Sequence, residues 1–196
     1  MAHIWIKICG LTSELAVRTA ISAGVDAVGF VFAPSKRQVT VEQAAQLAAT
    51  VPAKVQRIAV MLHPTQTWVN EVLKIFKPDV LQTDWQDLAE LTLPSELMVL
   101  PVMRAGQAMP GNMPIRFLFE GPVSGTGEKA DWSQAASLVH SGELILAGGL
   151  NPANIAGAIR AVRPFGVDVS SGVEASPGVK DPLKMIEFVQ AARAAL

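Results

Sequence analysis

The chain holds a single cysteine, Cys9, in the stretch KICGLTSE, where it closes an apolar, β-branched run just before a glycine and a Thr-Ser pair. A cysteine inside a core is a small hydrophobe. A thiol at the carboxyl end of a strand and before a helix N-terminus is expected to have a pKa drawn toward neutrality, so that its thiolate can act as a base. Glu120 ends another apolar run, RFLFE, and a carboxyl group there can donate a proton if partial burial raises its pKa. Arg37, in FAPSKRQVT, has the guanidinium geometry for a two-pronged grip on a carboxylate, or is a solvated arginine beside Lys36. In AGGLNP, Gly148 and Gly149 precede an Asn-Pro helix start, and in DVSSGVE the residues Ser170, Ser171 and Gly172 follow an apolar run. Glycines allow close backbone approach, and N–H groups at a helix start suit a phosphate. Either cluster alone reads as a tight turn or a cap; together they read as an anion site. A third glycine-rich stretch, EGPVSGTGEKADW, contains Gly125, Thr126 and Gly127 and can wrap a ligand, while Asp131 within it reads as an N-cap.

These residues need a scaffold that brings them together. Runs of strand length are expected at Ile4–Cys9, Asp26–Phe32, Arg57–Leu62, Asp79–Gln82, Met98–Met103, Arg116–Glu120, Glu143–Ala147 and Phe165–Val169. Between them lie helical patterns: from Thr12 to Gly24, Val41–Thr50, Pro64–Phe76, a weak one over 85–91, Asp131–His140, one from Asn151-Pro152, and Pro182–Ala195. After the fifth strand, Arg104–Pro114 has no helical period and two prolines. Eight strands in βα order point to an α/β fold, a closed (β/α)8 TIM barrel over residues 1–196 as a single domain. A doubly wound sheet would leave two or three strands unplaced. In such a barrel the strand ends form the site, which places Cys9, Arg37, Glu120, Gly148, Gly149 and Ser170–Gly172 at one mouth.

Composition narrows the function. Half of the 196 residues are hydrophobic, 17% are charged and the net charge is −1, a globular balance without the basic footprint of a nucleic-acid or anionic-membrane binder. One cysteine cannot form an internal disulfide, the start lacks the pattern of a signal peptide, and no apolar run reaches the roughly 18 residues of a membrane span. A cytoplasmic protein acting on a small molecule is expected. His3, His63 and His140 are scattered and no dinucleotide fingerprint is present, so neither a metal nor a cofactor is expected. Oligomeric state, monomer or homodimer, stays open.

The motifs KICGLT, GFVFAPSKR, SGTGEKADW, AGGLNP and GVDVSSGVEASPGVKD, in this order and spacing, resemble those of the phosphoribosylanthranilate isomerases over residues 6 to 182. The resemblance implies a (β/α)8 barrel with a degenerate fifth helix. It also implies an Amadori rearrangement in tryptophan biosynthesis, from an aminoaldose to the aminoketose carboxyphenylamino-deoxyribulose 5-phosphate. It makes Cys9 the base that takes the proton from C2 of the ribose and Arg37 the holder of the anthranilate carboxylate. Residues 125–127, 148–149 and 170–172 become a phosphate cradle, with Asp168 orienting the last strand end. The family's acid, which opens the furanose ring, is usually an aspartate; Glu120 stands there, and Gly121-Pro122 could absorb its extra methylene. Where the family commonly has Gln-Leu-His-Gly, this chain has Gln82-Thr83-Asp84-Trp85. The histidine-pathway aldose–ketose isomerases use aspartates at the first and fifth strand ends, and indole-glycerol-phosphate synthases need lysines on early strands that RIAVML lacks. A barrel that binds a sugar phosphate without turning it over is the alternative.

Overall fold

Alternating strand-length and helix-length apolar segments close the chain on itself. The computed structural model describes residues 3–122 and 131–195. The strands are β1 (Trp5–Cys9), β2 (Ala27–Val31), β3 (Gln56–Val60), β4 (Val80–Asp84), β5 (Met98–Arg104), β6 (Arg116–Glu120), β7 (Glu143–Leu146) and β8 (Gly166–Val169). Each pairs in parallel with its neighbours and β8 closes on β1, forming the eight-stranded barrel. The helices are α1 (Glu14–Ala23), α2 (Val41–Ala48), α3 (Gln66–Ile75), α4 (Trp132–Leu138), α5 (Ile155–Val162) and α6 (Pro182–Arg193). A short 3-10 helix, Trp85–Glu90, replaces the weak helix expected after β4, and β5 runs to β6 without a helix, as the aperiodic stretch from Arg104 to Pro114 implied. After β8 a 3-10 turn at Ser171–Val173 leads into a two-stranded hairpin, β9 (Glu174–Ser176) and β10 (Val179–Lys180), absent from the sequence reading.

Side-chain parity sorts each strand into two faces. Trp5, Ala27, Ile58, Val80, Leu100, Leu118 and Ile145 fill the barrel interior. The alternate residues, among them Ile4, Ile6, Ile8, Val28, Phe30, Val167 and Val169, pack outward with Val17, Val69, Val72 and Val189 of the helices. This parity decides which polar side chains reach the mouth.

Caps set the helix starts. Ser13 accepts from the Ala16 N–H, so α1 begins two residues later than expected from Thr12, whose hydroxyl instead donates to the Gly178 carbonyl. Thr40 and Gln43 form a capping box on α2, Thr65 caps α3, Asp131 caps α4, and Asp181 caps α6 ahead of Pro182. Gly24 ends α1 with φ +85°, a left-handed turn that glycine adopts without strain. The helix expected from Asn151-Pro152 begins only at Ile155, because the Asn151 side chain accepts from the Ala153 and Asn154 N–H groups and holds a turn there. Two strands run further than expected: β4 to Asp84 instead of Gln82, and β5 through Pro101 to Arg104 instead of Met103.

Candidate active site

On β1 the outward packing of Ile6 and Ile8 sends Lys7 and Cys9 into the barrel. Lys7 is fully buried. Its Nζ donates to Asp168 Oδ2 at 2.8 Å and to Gln82 Oε1 at 2.9 Å, and its charge acts on the Cys9 thiol. Gly29 is the register partner of Cys9 on β2. A Cβ there would lie 2.9 Å from Lys7 Cε and 3.1 Å from Cys9 Sγ, so the glycine leaves room for both. Burial alone would favour loss of the Lys7 proton, but Asp168 and Cys9 outweigh it and raise the Lys7 pKa. The protonated form of Lys7 is thereby favoured, with Asp168 and Gln82 as its acceptors. Burial also pushes the Asp168 carboxyl up against the pull of Lys7, and Asp168 Oδ1 is buried without a hydrogen bond among the described residues.

The expected lowering of the Cys9 pKa is not found. Burial pushes the thiol above its ordinary value; Lys7 and Lys180 pull it down by less, and Asp168 adds to the rise. The helix expected to lower it, α1, starts only at Glu14, five residues beyond Cys9. The Ser-Gly chemistry around the thiol serves geometry instead. Gly10 has φ +74°, and a Cβ there would fall 2.6 Å from Arg37 Cδ and 3.2 Å from Ser170 Oγ. The glycine after Cys9 therefore lets Arg37 cross the mouth.

Arg37 lines the cavity, but the inner edge of its fork is already engaged: Nε and Nη2 donate to the two carboxylate oxygens of Glu174 at 2.6 and 3.0 Å. Glu174 takes the Nε and one Nη2 N–H; the two N–H groups of Nη1 and the second of Nη2, on the outer edge of the guanidinium, are not directed at it. Lys180 ties the same carboxylate to the end of β8, donating to Glu174 Oε1, to the Ser170 carbonyl at 2.9 Å and to Ser170 Oγ at 3.2 Å. Ser170 Oγ in turn donates to the Cys9 carbonyl at 3.1 Å.

Gly148 and Gly149, with φ of +87° and +65°, turn the chain after β7 along the cavity wall, where Ser170 and Ser171 join them. Gly172 stands behind that wall. A Cβ on it would come within 1.8 Å of the Leu150 carbonyl oxygen, so it is the contact point of the two loops. Gly125, Thr126 and Gly127 lie outside the described residues.

Across the mouth from Cys9, Glu120 stands in a cluster with Asp84 and Arg104, two residues to which the sequence alone assigns no role. Asp84, Arg104 and Glu120 end β4, β5 and β6 on the inward face, and Arg104 is the register partner of Glu120. Arg104 Nε and Nη2 donate to Asp84 Oδ2 and Oδ1 at 2.9 and 2.5 Å, and its Nη1 donates to Glu120 Oε1 at 2.5 Å. One cavity is thus lined by Cys9, Arg37, Glu120, Gly148, Gly149, Asp168, Ser170 and Ser171 together with Gln82, Asp84 and Arg104. It sets a thiol with a neighbouring ammonium against a carboxyl group with a neighbouring guanidinium, an arrangement suited to moving protons at two atoms of one small molecule. Among the described residues no group of His, Cys, Asp and Glu could hold a metal ion.

Comparison with known proteins agrees with this geometry. A family model described as N-(5'-phosphoribosyl)anthranilate (PRA) isomerase matches residues 6–191. The chain belongs to the PRA isomerase family. It is 40% identical over 187 residues to an N-(5'-phosphoribosyl)anthranilate isomerase of Streptococcus pneumoniae, covering 94% of each chain. Among solved structures it is similar to the phosphoribosyl anthranilate isomerase of Thermotoga maritima, with 30% identity, a TM-score of 0.82 and coverage of 98% of this chain and 100% of that one. It is also similar to a phosphoribosyl anthranilate isomerase in complex with reduced 1-(o-carboxyphenylamino)-1-deoxyribulose 5-phosphate, with 29% identity, a TM-score of 0.78 and the same coverage. Membership of the PRA isomerase family accounts for the barrel and for the order of the motifs. It leaves Lys7, Gln82, Asp84, Arg104, Glu174 and Lys180 to be found from the structure. The first four share the inward parity of Cys9 or Glu120, a signal present in the strands themselves. Glu174 and Lys180 meet through a hairpin with no such local sign.

Proposed function

We infer that this chain isomerises N-(5'-phosphoribosyl)anthranilate to 1-(o-carboxyphenylamino)-1-deoxyribulose 5-phosphate in tryptophan biosynthesis, with Glu120 as general acid and Cys9 as general base. The facing thiol and carboxyl group at one barrel mouth carry the assignment. Glu120 gives its proton to the furanose ring oxygen as the C1–O bond breaks and the nitrogen lone pair forms C=N. The Cys9 thiolate then takes the proton from C2, and the released electron pair forms C1=C2 and neutralises the iminium. The resulting enolamine tautomerises to the aminoketone.

The substrate's two anionic ends fit opposite features. The Gly148-Gly149 turn with Ser170 and Ser171 supports the phosphate, with Gly172 setting the spacing of its loops. Arg37, braced by Glu174, supports the anthranilate carboxylate through the Nη1 and Nη2 N–H groups on its outer edge. Asp168 fixes Lys7 beneath the thiol. Residues 1–196 act as one barrel domain. The family's biosynthetic role and a described structure without a helix long and apolar enough to cross a membrane support a cytoplasmic place of work.

Following the loss of anthranilate fluorescence in the purified protein tests the reading. Cys9→Ser replaces the thiol with a far weaker acid, and Glu120→Gln keeps shape but loses the transferable proton. Each should lower kcat by roughly 10²-fold or more while a reduced product analogue still binds. Retention of more than about a tenth of kcat in either variant removes that residue from its role.

A further inference from the structure

Glu120 needs two things that conflict. It must be held in place, and it must keep a proton that a neighbouring cation would drive off. Arg104 supplies the hold, donating from Nη1 to Oε1, with the side chains of Arg104 and Glu120 only 7% and 14% exposed. A carboxylic acid that accepts this bond through its carbonyl oxygen carries its proton on the other oxygen. Asp84, 6% exposed, takes the rest of the fork through two parallel bonds. Its negative charge offsets the guanidinium, so Glu120 sees a nearly neutral ion pair in place of a bare cation. We propose that Asp84 and Arg104 are positioning residues for the acid: Arg104 orients Glu120, and Asp84 cancels the charge that would otherwise strip its proton.

This rests on the reading of Glu120 as the acid. It also explains how a glutamate serves one methylene beyond the usual aspartate: the longer side chain is met by a guanidinium anchored on β5 and β4. The flanking Gly121-Pro122 is then not needed as compensation. Among the described residues the other charged or titratable groups near the pair are His63, held by Asp87 beyond β4, and Cys9, Lys7, Arg37 and Asp168 across the barrel.

The test is the pH profile of kcat/KM. With the Cys9 thiol held above its ordinary value, the alkaline limb belongs to the thiol and the acidic limb to the carboxyl group. Asp84→Asn leaves Arg104 facing Glu120 alone and should move the acidic limb down by roughly one pH unit. The rate between the limbs should fall about tenfold, because the form with protonated acid and thiolate becomes rarer. Arg104→Met leaves Asp84 as a bare anion and should move the acidic limb up. It should still lower kcat tenfold or more through lost orientation, with the affinity for a product analogue little changed.

If Arg104→Met does not fold, Asp84→Asn/Arg104→Gln removes both charges. The acidic limb should then return to the parent position while kcat stays low. His63→Gln should leave the limb where it is. Shifts of the same sign in Asp84→Asn and Arg104→Met, an unmoved limb in either, or a limb lost with His63 overturns the proposal. An active Glu120→Gln enzyme overturns the acid assignment and the proposal with it. An inactive one with unmoved limbs in the Asp84 and Arg104 variants overturns the proposal alone.

Discussion

Replacing Lys7 with methionine separates what the buried ammonium does for the fold from what it does for the thiol. The substitution shortens the side chain by one atom and removes the charge beneath Cys9. Asp168, 9% exposed at its side chain, is left as a carboxylate inside the barrel without its counter-ion. Breaking a buried pair from one side costs about 3–5 kcal/mol, which for a domain of this size lowers Tm by roughly 6–20 °C. The thiol loses the strongest influence that lowers its pKa. An opposite charge at contact distance shifts a pKa by roughly 1–3 pH units, so thiolate and kcat/KM near neutral pH should fall by about 10- to 1000-fold.

The double variant Lys7→Met/Asp168→Asn removes the orphaned charge. It should recover at least half of the lost stability, while activity stays low because the thiol still lacks its cation. Asp168→Asn alone should move the thiol the other way, since Asp168 works to raise it. Because Cys9 is the only cysteine, the rate of alkylation against pH reports its titration without interference, and urea or thermal unfolding gives the stability. A thiol titration unmoved by Lys7→Met refutes the electrostatic role of Lys7. A double variant no more stable than the single one refutes the account of the buried pair.

Two other substitutions probe the far side of the mouth. Burial works to raise the Glu174 carboxyl, but hydrogen bonds from Arg37 and Lys180 outweigh it and hold the pKa below the ordinary glutamate value. Such a depressed group stabilises the fold above about pH 4.3, and that stability is lost as pH falls through its lower folded value. The destabilisation caused by Glu174→Gln, read from urea midpoints, should therefore be larger at pH 7 than at pH 3; equal penalties at both would mean the carboxylate is not held by its charge. Arg37→Met should raise KM for the anthranilate-bearing substrate far more than it weakens inorganic phosphate or a simple ribose phosphate, and equal weakening would make Arg37 a loop brace. Gly172→Ala places a methyl group against the Leu150 carbonyl and should cost roughly 3 kcal/mol by overpacking, with an unchanged Tm arguing against the close approach of the two loops.

The strand pattern carried the barrel because each apolar run between turn signals had room for one strand and one covering element. Cys9 and Glu120 were visible for the same reason, as polar or reactive residues on which an apolar run ends. Asp84 and Arg104 were not, because a strand read by hydropathy stops where polarity begins. Inside a barrel the inward residues at the mouth are polar by construction, so that rule cuts each strand short at the place where the site starts. Continuing the period of two would have found them: Gln82 leads to Asp84, Val102 to Arg104 and Leu118 to Glu120. Parallel register then sets consecutive strand ends side by side, so an acid, a base and an acid on three successive strands must meet. The same count down from Cys9 leads to Lys7. It does not lead to Glu174, whose bond to Arg37 joins residues 137 positions apart. That contact depends on a hairpin turning at Gly178 against the Lys36 carbonyl. A period within a strand reports which face a side chain takes; it holds no information on which distant loop will fold over that face. The inner edge of the Arg37 guanidinium accordingly serves a protein contact that no period within a strand announces.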